Sequence, residues 1–422
     1  MELLIKNAHV VSPADGLDAA ADILVQDGKI AQIGADLSAD CAVLDATGLT
    51  AVPGFVDMHV HLRDPGQTAK EDILTGCNAA AAGGVTSLLC MPNTVPTVDN
   101  PETVHYIINK AKNANAKVYV AASITKGLKS EEPTDLRALR SAGAVGLSDD
   151  GRPVENTKFL RDAMKLAPSL GMTVVAHCED LFLADGGKIN EGAVSAQLGV
   201  KGIPAAAEDC GTAREIALAA AENVPVHICH VSTKTSVALV RDAKRRGVQV
   251  TAETAPHYFS LTEQALLKRD ADYRMNPPLR TQADVAAIIE GLTDGTLDCI
   301  ATDHAPHTPE EKSDFEKAPN GSVGMETSFA VANTYLVKTG VLTLGQVVEK
   351  MSVNPAKLLG IDAGTLAVGA PADIALIDPD EQWTVDADRL HGKSKNTPFK
   401  GMTLTGKVKR TLLGGKTVFI DN

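Results

Sequence analysis

The chain has 422 residues, 44% of them hydrophobic and 22% charged, with a formal net charge of −13, a composition that suits a globular protein with one large domain and a smaller companion. The acidic balance argues against nucleic acid or an anionic membrane as partner, so any attraction for an anionic ligand must be local, from arginine or metal. The start MELLIKNAHV has no signal-peptide pattern and no stretch reaches the ~20 apolar residues of a membrane span; the seven cysteines form no CxxC pair, which points to small buried thiols in a reducing cytoplasm.

In chain order, residues 1 to about 51 (LLIKNAHVVSP, ADILVQDGKIAQIG) alternate apolar and polar residues between Gly and Asp turns, the pattern of a half-exposed antiparallel sheet. Eight short apolar runs follow, starting near residues 50, 85, 116, 144, 172, 224, 248 and 297: TAVPGFVDMHV, VTSLLCMPN, AKVYVAAS, AVGLSDD, MTVVAHCED, VPVHICHVS, VQVTAETAPH and LDCIATDHAPH. Segments with helical spacing separate most of them, among them KEDILTGCNAAAAGG, NTKFLRDAMKLAPSLG and TKTSVALVRDAKRRG. Continuous apolar strands alternating with helices read as parallel strands buried on both faces. The fold class is therefore α/β, a (β/α)8 barrel of TIM type over residues 52–363, with a doubly wound open sheet as the structural alternative. From residue 364 to 422 the alternating pattern returns (GTLAVGAPADIALIDPD, MTLTGKVKRTLLGGKTVF), so the two ends are expected to join in one small β-sandwich domain, 1–51 plus 364–422.

In such a barrel the active site lies at the carboxyl ends of the strands, and the polar residues there are the informative ones. The first run ends in His59 and His61, the second in Asn93, the fourth in Asp149 and Asp150, the fifth in His177. The sixth ends in His230, the seventh in Glu253 and His257, the eighth in Asp303, His304 and His307. Residues two apart on a strand share a face, so His59 and His61 can point together into the mouth. Taken singly, each has a structural explanation: an isolated HxH, a core histidine, a turn at Asp149–Asp150–Gly151. His9, His105 and His391 fall outside the strand ends. His227, three positions before His230, is expected to face the surrounding helices. Four histidines and several acids at the same end of different strands make a nitrogen–oxygen site suited to Zn2+, which would supply an activated water.

Together, DMHVHLRDPGQTAKEDILTGCNAAAAGGVTSLLCMPNT, LSDDGRPV, VAHCED, CHVS, MNPPLR and TDHAPH resemble the type I dihydroorotases of the amidohydrolase superfamily, and NPAKLLGI and GTLAVGAPADIALID extend the resemblance along nearly the whole chain. It implies zinc, one or two ions per chain with two favoured. His59 and His61 would bind the more buried ion and His177 and His230 the second, with Asp150 bridging in place of the carboxylated lysine of hydantoinases; Lys126 and Lys129 are not that bridge. Asp303 would be a metal ligand and the catalytic acid/base. Arg63, Asn93 and His307, with His61, would hold the substrate's carboxylate side, and Asn276 the ring's polar edge. Asn320 and Gly321 would add backbone contacts, although Asn320 stands where many relatives carry an aromatic residue. HTPEEKSDFEKAPNGSVG reads as a polar loop able to move near the mouth.

The implied reaction is the reversible cyclisation of N-carbamoyl-L-aspartate to L-dihydroorotate and water in pyrimidine biosynthesis. Aspartate transcarbamoylase and a second copy of the chain are the protein partners the resemblance brings into view. The alternatives are another cyclic amidohydrolase, hydantoinase- or allantoinase-like, and a non-catalytic paralogue serving as a structural partner of the transcarbamoylase. The first would need a bridging lysine. The second would be expected to lose ligand histidines that are all present here.

Overall fold

The computed structural model describes residues 2–421. Strands β1 (Glu2–Ser12), β2 (Leu17–Gln26), β3 (Lys29–Gly34), β4 (Ala42–Asp45) and β5 (Thr50–Pro53) open the chain. The barrel strands β6 (Phe55–Val60), β7 (Val85–Cys90), β8 (Lys117–Ala122), β9 (Gly146–Leu147) and β10 (Thr173–Ala176) follow. After a two-stranded side ladder of β11 (Ile189–Asn190) and β12 (Gly202–Ile203) come β13 (Val226–Ile228), β14 (Val250–Thr254) and β15 (Cys299–Ile300). The end strands are β16 (Ile374–Thr384), β17 (Thr403–Leu413) and β18 (Lys416–Ile420).

The eight barrel strands are parallel and paired in sequence order from β6 to β15, apart from the side ladder. Closure comes from a parallel bridge between Val60 and His304, where the His61 amide donates to the His304 carbonyl at 2.8 Å. The two chain ends meet in a separate eight-stranded sheet of order β18-β17-β16-β5-β1-β2-β3, with β4 also on β1. The first apolar run is thus shared between both sheets. Thr50–Pro53 pairs with β1 and β16, and the barrel begins after Gly54.

The helices form where the sequence supplies caps. In Ile73–Ala82, Asp72 accepts from the amides of Leu74 and Thr75 while Thr75 reciprocates, and an alanine-rich body follows. Asn156, Thr233 and Thr281 each accept a first-turn amide at the start of the helices Thr157–Leu166, Lys234–Arg245 and Gln282–Thr293, and Asp284 reciprocates toward Thr281. Gly83 ends the first helix against Met325, whose carbonyl would lie 2.2 Å from any Cβ there, so only glycine fits.

Side-chain alternation divides the core. Val56, Met58, Leu89, Met91, Ala121, Val175, Cys229, Cys299 and Ala301 fill the barrel interior. Val60, Leu88, Val120, Leu147, Val174, Ala176, Ile228 and Ile300 pack outward against the helices. Five of the seven cysteines are buried and all are free, as expected of small hydrophobes. Among the described residues, no helix is long and apolar enough to cross a membrane.

Candidate active site

Above that apolar floor the interior turns polar. Just past β10, His177 follows Val175 by two positions and points inward; so does Asp150, four positions after Gly146, whose position faces the interior Leu89. On β6 the register slips between Asp57 and Val60, a bulge that lets both Met58 and His59 face the interior before Val60 turns outward. His230 reaches the cluster by a different route, its φ of +33° breaking strand alternation. The expectation that His227 faces the helices is therefore corrected. His227 shares the inner face with Cys229, is fully buried, and hydrogen-bonds Thr251 at 2.9 Å and Glu253 at 3.2 Å.

Asp150 is the centre of the cluster. Its Oδ1 lies 3.1 Å from His59 Nε2, 3.4 Å from His177 Nδ1 and 3.6 Å from His230 Nε2; its Oδ2 lies 3.4 Å from His61 Nε2. Asp303 Oδ1 is 3.1 Å from His61 Nε2 and 3.7 Å from His59 Nε2. Asp149 points away and accepts from the amides of Ile124 and Thr125 and the Thr125 hydroxyl. Three donor sets converge within 4.8 Å: His59, His61 and Asp150; Asp150, His177 and His230; and, toward the floor, His59, Cys229 and Glu253. Burial pushes the Asp150 carboxyl up, but the imidazoles of His59, His177 and His230 around it hold it well below the usual carboxylate range.

These donors fit a cation. His59 Nδ1 faces Glu253 Oε1 at 3.0 Å and His61 Nδ1 faces Asn93 Oδ1 at 2.9 Å. Both oxygens only accept, so each ring carries its proton outward and turns a lone pair on Nε2 toward the carboxylates. His59 Nε2 and Asp150 Oδ1 are buried without a directed hydrogen bond, and His177 Nδ1 stands only 2.9 Å from His230 Nε2. Lone pairs crowded in this way repel one another unless a positive ion lies between them. The nitrogen–oxygen set suits Zn2+. Lys126 and Lys129 are exposed, Lys126 paired with Glu132, and neither joins the cluster.

Beside the cluster lies Arg63, only 7% exposed and with φ +59°. Its Nε donates to the Pro306 carbonyl at 3.2 Å and its Nη2 lies 3.5 Å from His307 Nε2, yet no carboxylate among the described residues is within 4.0 Å of it. Burial lowers it to about 10, against the pull of Asp303, Asp150 and Glu311, so it stays charged at neutral pH. Burial and the Arg63 charge press His307 down to about 3, leaving a neutral ring whose Nε2 donates to the Asn320 carbonyl at 2.9 Å. The Asn320 side chain accepts from Arg274 at 3.0 Å. Gly321 has φ +142°, and a Cβ there would meet Ala305 at 2.8 Å and His307 Nε2 at 2.9 Å. The 304–324 segment is tied down: Arg274 donates to the Phe315 carbonyl, Lys312 to the carbonyls of Arg274 and Pro319, and Glu311 pairs with Lys70.

Three residues without a role in the sequence reading belong here. Glu253, held well below the carboxylate range by His227 and His59 against its burial, joins those two rings from beneath. Glu179, the penultimate residue of VAHCED, reaches both His177 Nε2 at 3.3 Å and Asn276 Nδ2 at 3.1 Å. His257 is buried with Nε2 unpartnered and driven down to about 4 by that burial. An acid two residues beyond a ligand histidine is the one local signal that could have flagged Glu179.

Residues 50–418 match the amidohydrolase family. A dihydroorotase of Geobacter metallireducens is 52% identical over 423 residues, covering 99% of this chain and 100% of the relative. One of Acetivibrio thermocellus is 51% identical over 419, covering 99% and 98%. The chain belongs to the dihydroorotases of the amidohydrolase family. Among solved structures, the L-hydantoinase (dihydropyrimidinase) of Arthrobacter aurescens superposes with a TM-score of 0.88 at 29% identity, over 99% of this chain and 95% of that one. The dihydropyrimidinase of Brevibacillus agri gives 0.87 at 28% identity over 100% and 95%.

Proposed function

We propose that this chain is a zinc-dependent dihydroorotase that interconverts N-carbamoyl-L-aspartate with L-dihydroorotate and water. The observation that carries the substrate is Arg63, a buried, charged guanidinium beside the cluster with no carboxylate within 4.0 Å among the described residues. A planar fork in that state is suited to a substrate carboxylate, which dihydroorotate has and hydantoin lacks.

His59, His61, Asp150, His177, His230 and Asp303 would hold one or two zinc ions, two being favoured because both triads share Asp150. Bound there, zinc would supply Lewis acidity toward the ring carbonyl and an activated water. Asp303 is the acid/base. Its Oδ1 faces the cluster, where the carboxylate accepts a proton from the attacking water and returns it to the amide nitrogen as the ring opens. In the closing direction Asp303 takes the proton from the carbamoyl nitrogen as that nitrogen attacks the side-chain carboxylate. Asp303 then passes the proton to the departing carboxylate oxygen, which takes a second proton from solvent and leaves as water. Arg63 holds the substrate's remaining carboxylate, with His307 neutral beside it and Asn93 keeping His61 oriented. Asn276 reads the ring edge, and the backbone at Asn320 and Gly321 borders the pocket.

Residues 52–363 form the catalytic domain in this reading and 1–51 plus 364–422 the companion. A cytoplasmic location, a homodimer and association with aspartate transcarbamoylase belong to the same proposal and rest on the resemblance. The test offers zinc-loaded protein dihydroorotate, hydantoin and allantoin separately. Ring opening of dihydroorotate alone is expected; hydantoin turnover without dihydroorotate turnover would sink the reading.

A further inference from the structure

Glu179 is only 9% exposed and lies between two groups that act on different parts of the site. Its Oε2 is 3.3 Å from His177 Nε2, and Oε1 and Oε2 are 3.2 and 3.1 Å from Asn276 Nδ2. A carboxylate has lone pairs and nothing to donate. His177 must therefore direct an Nε2–H at Glu179, which leaves the Nδ1 lone pair facing Asp150 and His230. Asn276 must turn its NH2 to Glu179, which leaves Oδ1 for the pocket. That oxygen accepts no hydrogen bond among the described residues, and the residue is only partly buried.

We infer that Glu179 is a positioning residue that sets the polarity of two partners at once: it fixes His177 in the tautomer that binds metal, and it makes Asn276 a pure acceptor that selects an N–H on the substrate ring. This rests on the dihydroorotase reading for the substrate, but not for the metal. A glutamine at 179 cannot set both polarities. With its oxygen on His177, its NH2 draws the Asn276 oxygen and turns the Asn276 NH2 to the pocket; with its oxygen on Asn276, its NH2 confronts the His177 donor.

Four proteins test this: the parent, Glu179→Gln, Asn276→Asp and the double variant. Glu179→Gln is expected to weaken zinc retention about tenfold or more in competition with a chelator and to raise KM for dihydroorotate about tenfold, the cost of an unmatched polar contact. Asn276→Asp sets two carboxylates face to face and should raise KM at least as much. In the double variant, the new amide at position 179 donates to the new carboxylate at position 276 and accepts from His177. That carboxylate still offers an oxygen to the ring, so zinc retention and KM should return to within a few-fold of the parent. Effects that simply multiply in the double variant overturn the inference, as does a Glu179→Gln protein with parental zinc retention and KM. A Glu179 that merely braces the loop would lower the melting temperature of Glu179→Gln, with no recovery in the double.

If the variants do not fold, the parent decides. Of dihydroorotates methylated at one ring nitrogen or the other, one should bind about tenfold more weakly than the unmodified ring, and equal binding of both refutes the N–H selection. If the parent does not open dihydroorotate at all, the substrate reading fails, and chelator competition still judges the action of Glu179 on His177.

Discussion

On one side of the barrel mouth, Asp150 and His177 point inward because each stands an even number of residues from an interior position of its own strand. On the other, Arg63 and Gly321 sit on backbone with positive φ, at +59° and +142°. A ligand aimed by alternation takes its direction from the whole sheet, and neighbouring strands hold it in place. A group aimed by a left-handed residue depends on a few bonds and on what can be fitted around it: the Pro306 carbonyl for Arg63, the space beside Ala305 for Gly321. The cluster side can therefore lose chemistry without losing shape, whereas the carboxylate side loses both together.

The substitution expected to cost most separates chemistry from shape. Asp303→Asn keeps the volume and an oxygen for the cluster but removes the base, so turnover should fall by about 10²- to 10⁴-fold while zinc per chain, measured by elemental analysis, stays at the parental level. Zinc loss in that variant would make Asp303 chiefly a ligand. Next comes Arg63→Lys, which keeps the charge and gives up the fork. KM for dihydroorotate should rise about 10- to 100-fold, in proportion to a lost bidentate contact of roughly 1.5–3 kcal/mol, with little change in zinc. A similar rise for a neutral ring substrate would show that Arg63 is not reading a carboxylate.

The smallest effect is expected at Gly321→Ala. A Cβ there meets Ala305 and His307 in a region of φ that side chains rarely adopt, at a cost of about 1–3 kcal/mol. The melting temperature should drop and KM rise together. An unchanged KM would mean that the segment does not shape the pocket.

The same division governs how much could be read from the sequence. The eight strands, the HxH pair and His177 follow from local periodicity, because each residue's direction is set by its near neighbours; the family resemblance singled out Asp150 over Asp149. His227 defeated that rule, since the positive φ at His230 reverses the strand's facing between the two. The roles of Glu179 and Glu253 stayed hidden for another reason. Their roles are defined by partners 97 residues away at Asn276 and 194 away at His59, and nothing in a short window records such a pairing. Arg63 was legible through its motif, but its separation from the carboxylates of the described residues is a property of the folded interior alone.

The bridge that closes the barrel also orders events in time. His304 pairs with Val60 next to the cluster, and His61 and Asp303 are separated by 242 residues of chain. Bringing such distant ends together costs about 5 kcal/mol of loop entropy, and non-local contacts of this kind form slowly. All four histidines are synthesised well before the strand that brings Asp303 to them. Asp303 is thus the last of the six donors to be supplied by the chain, and the set is complete only once the closing seam of the barrel has formed.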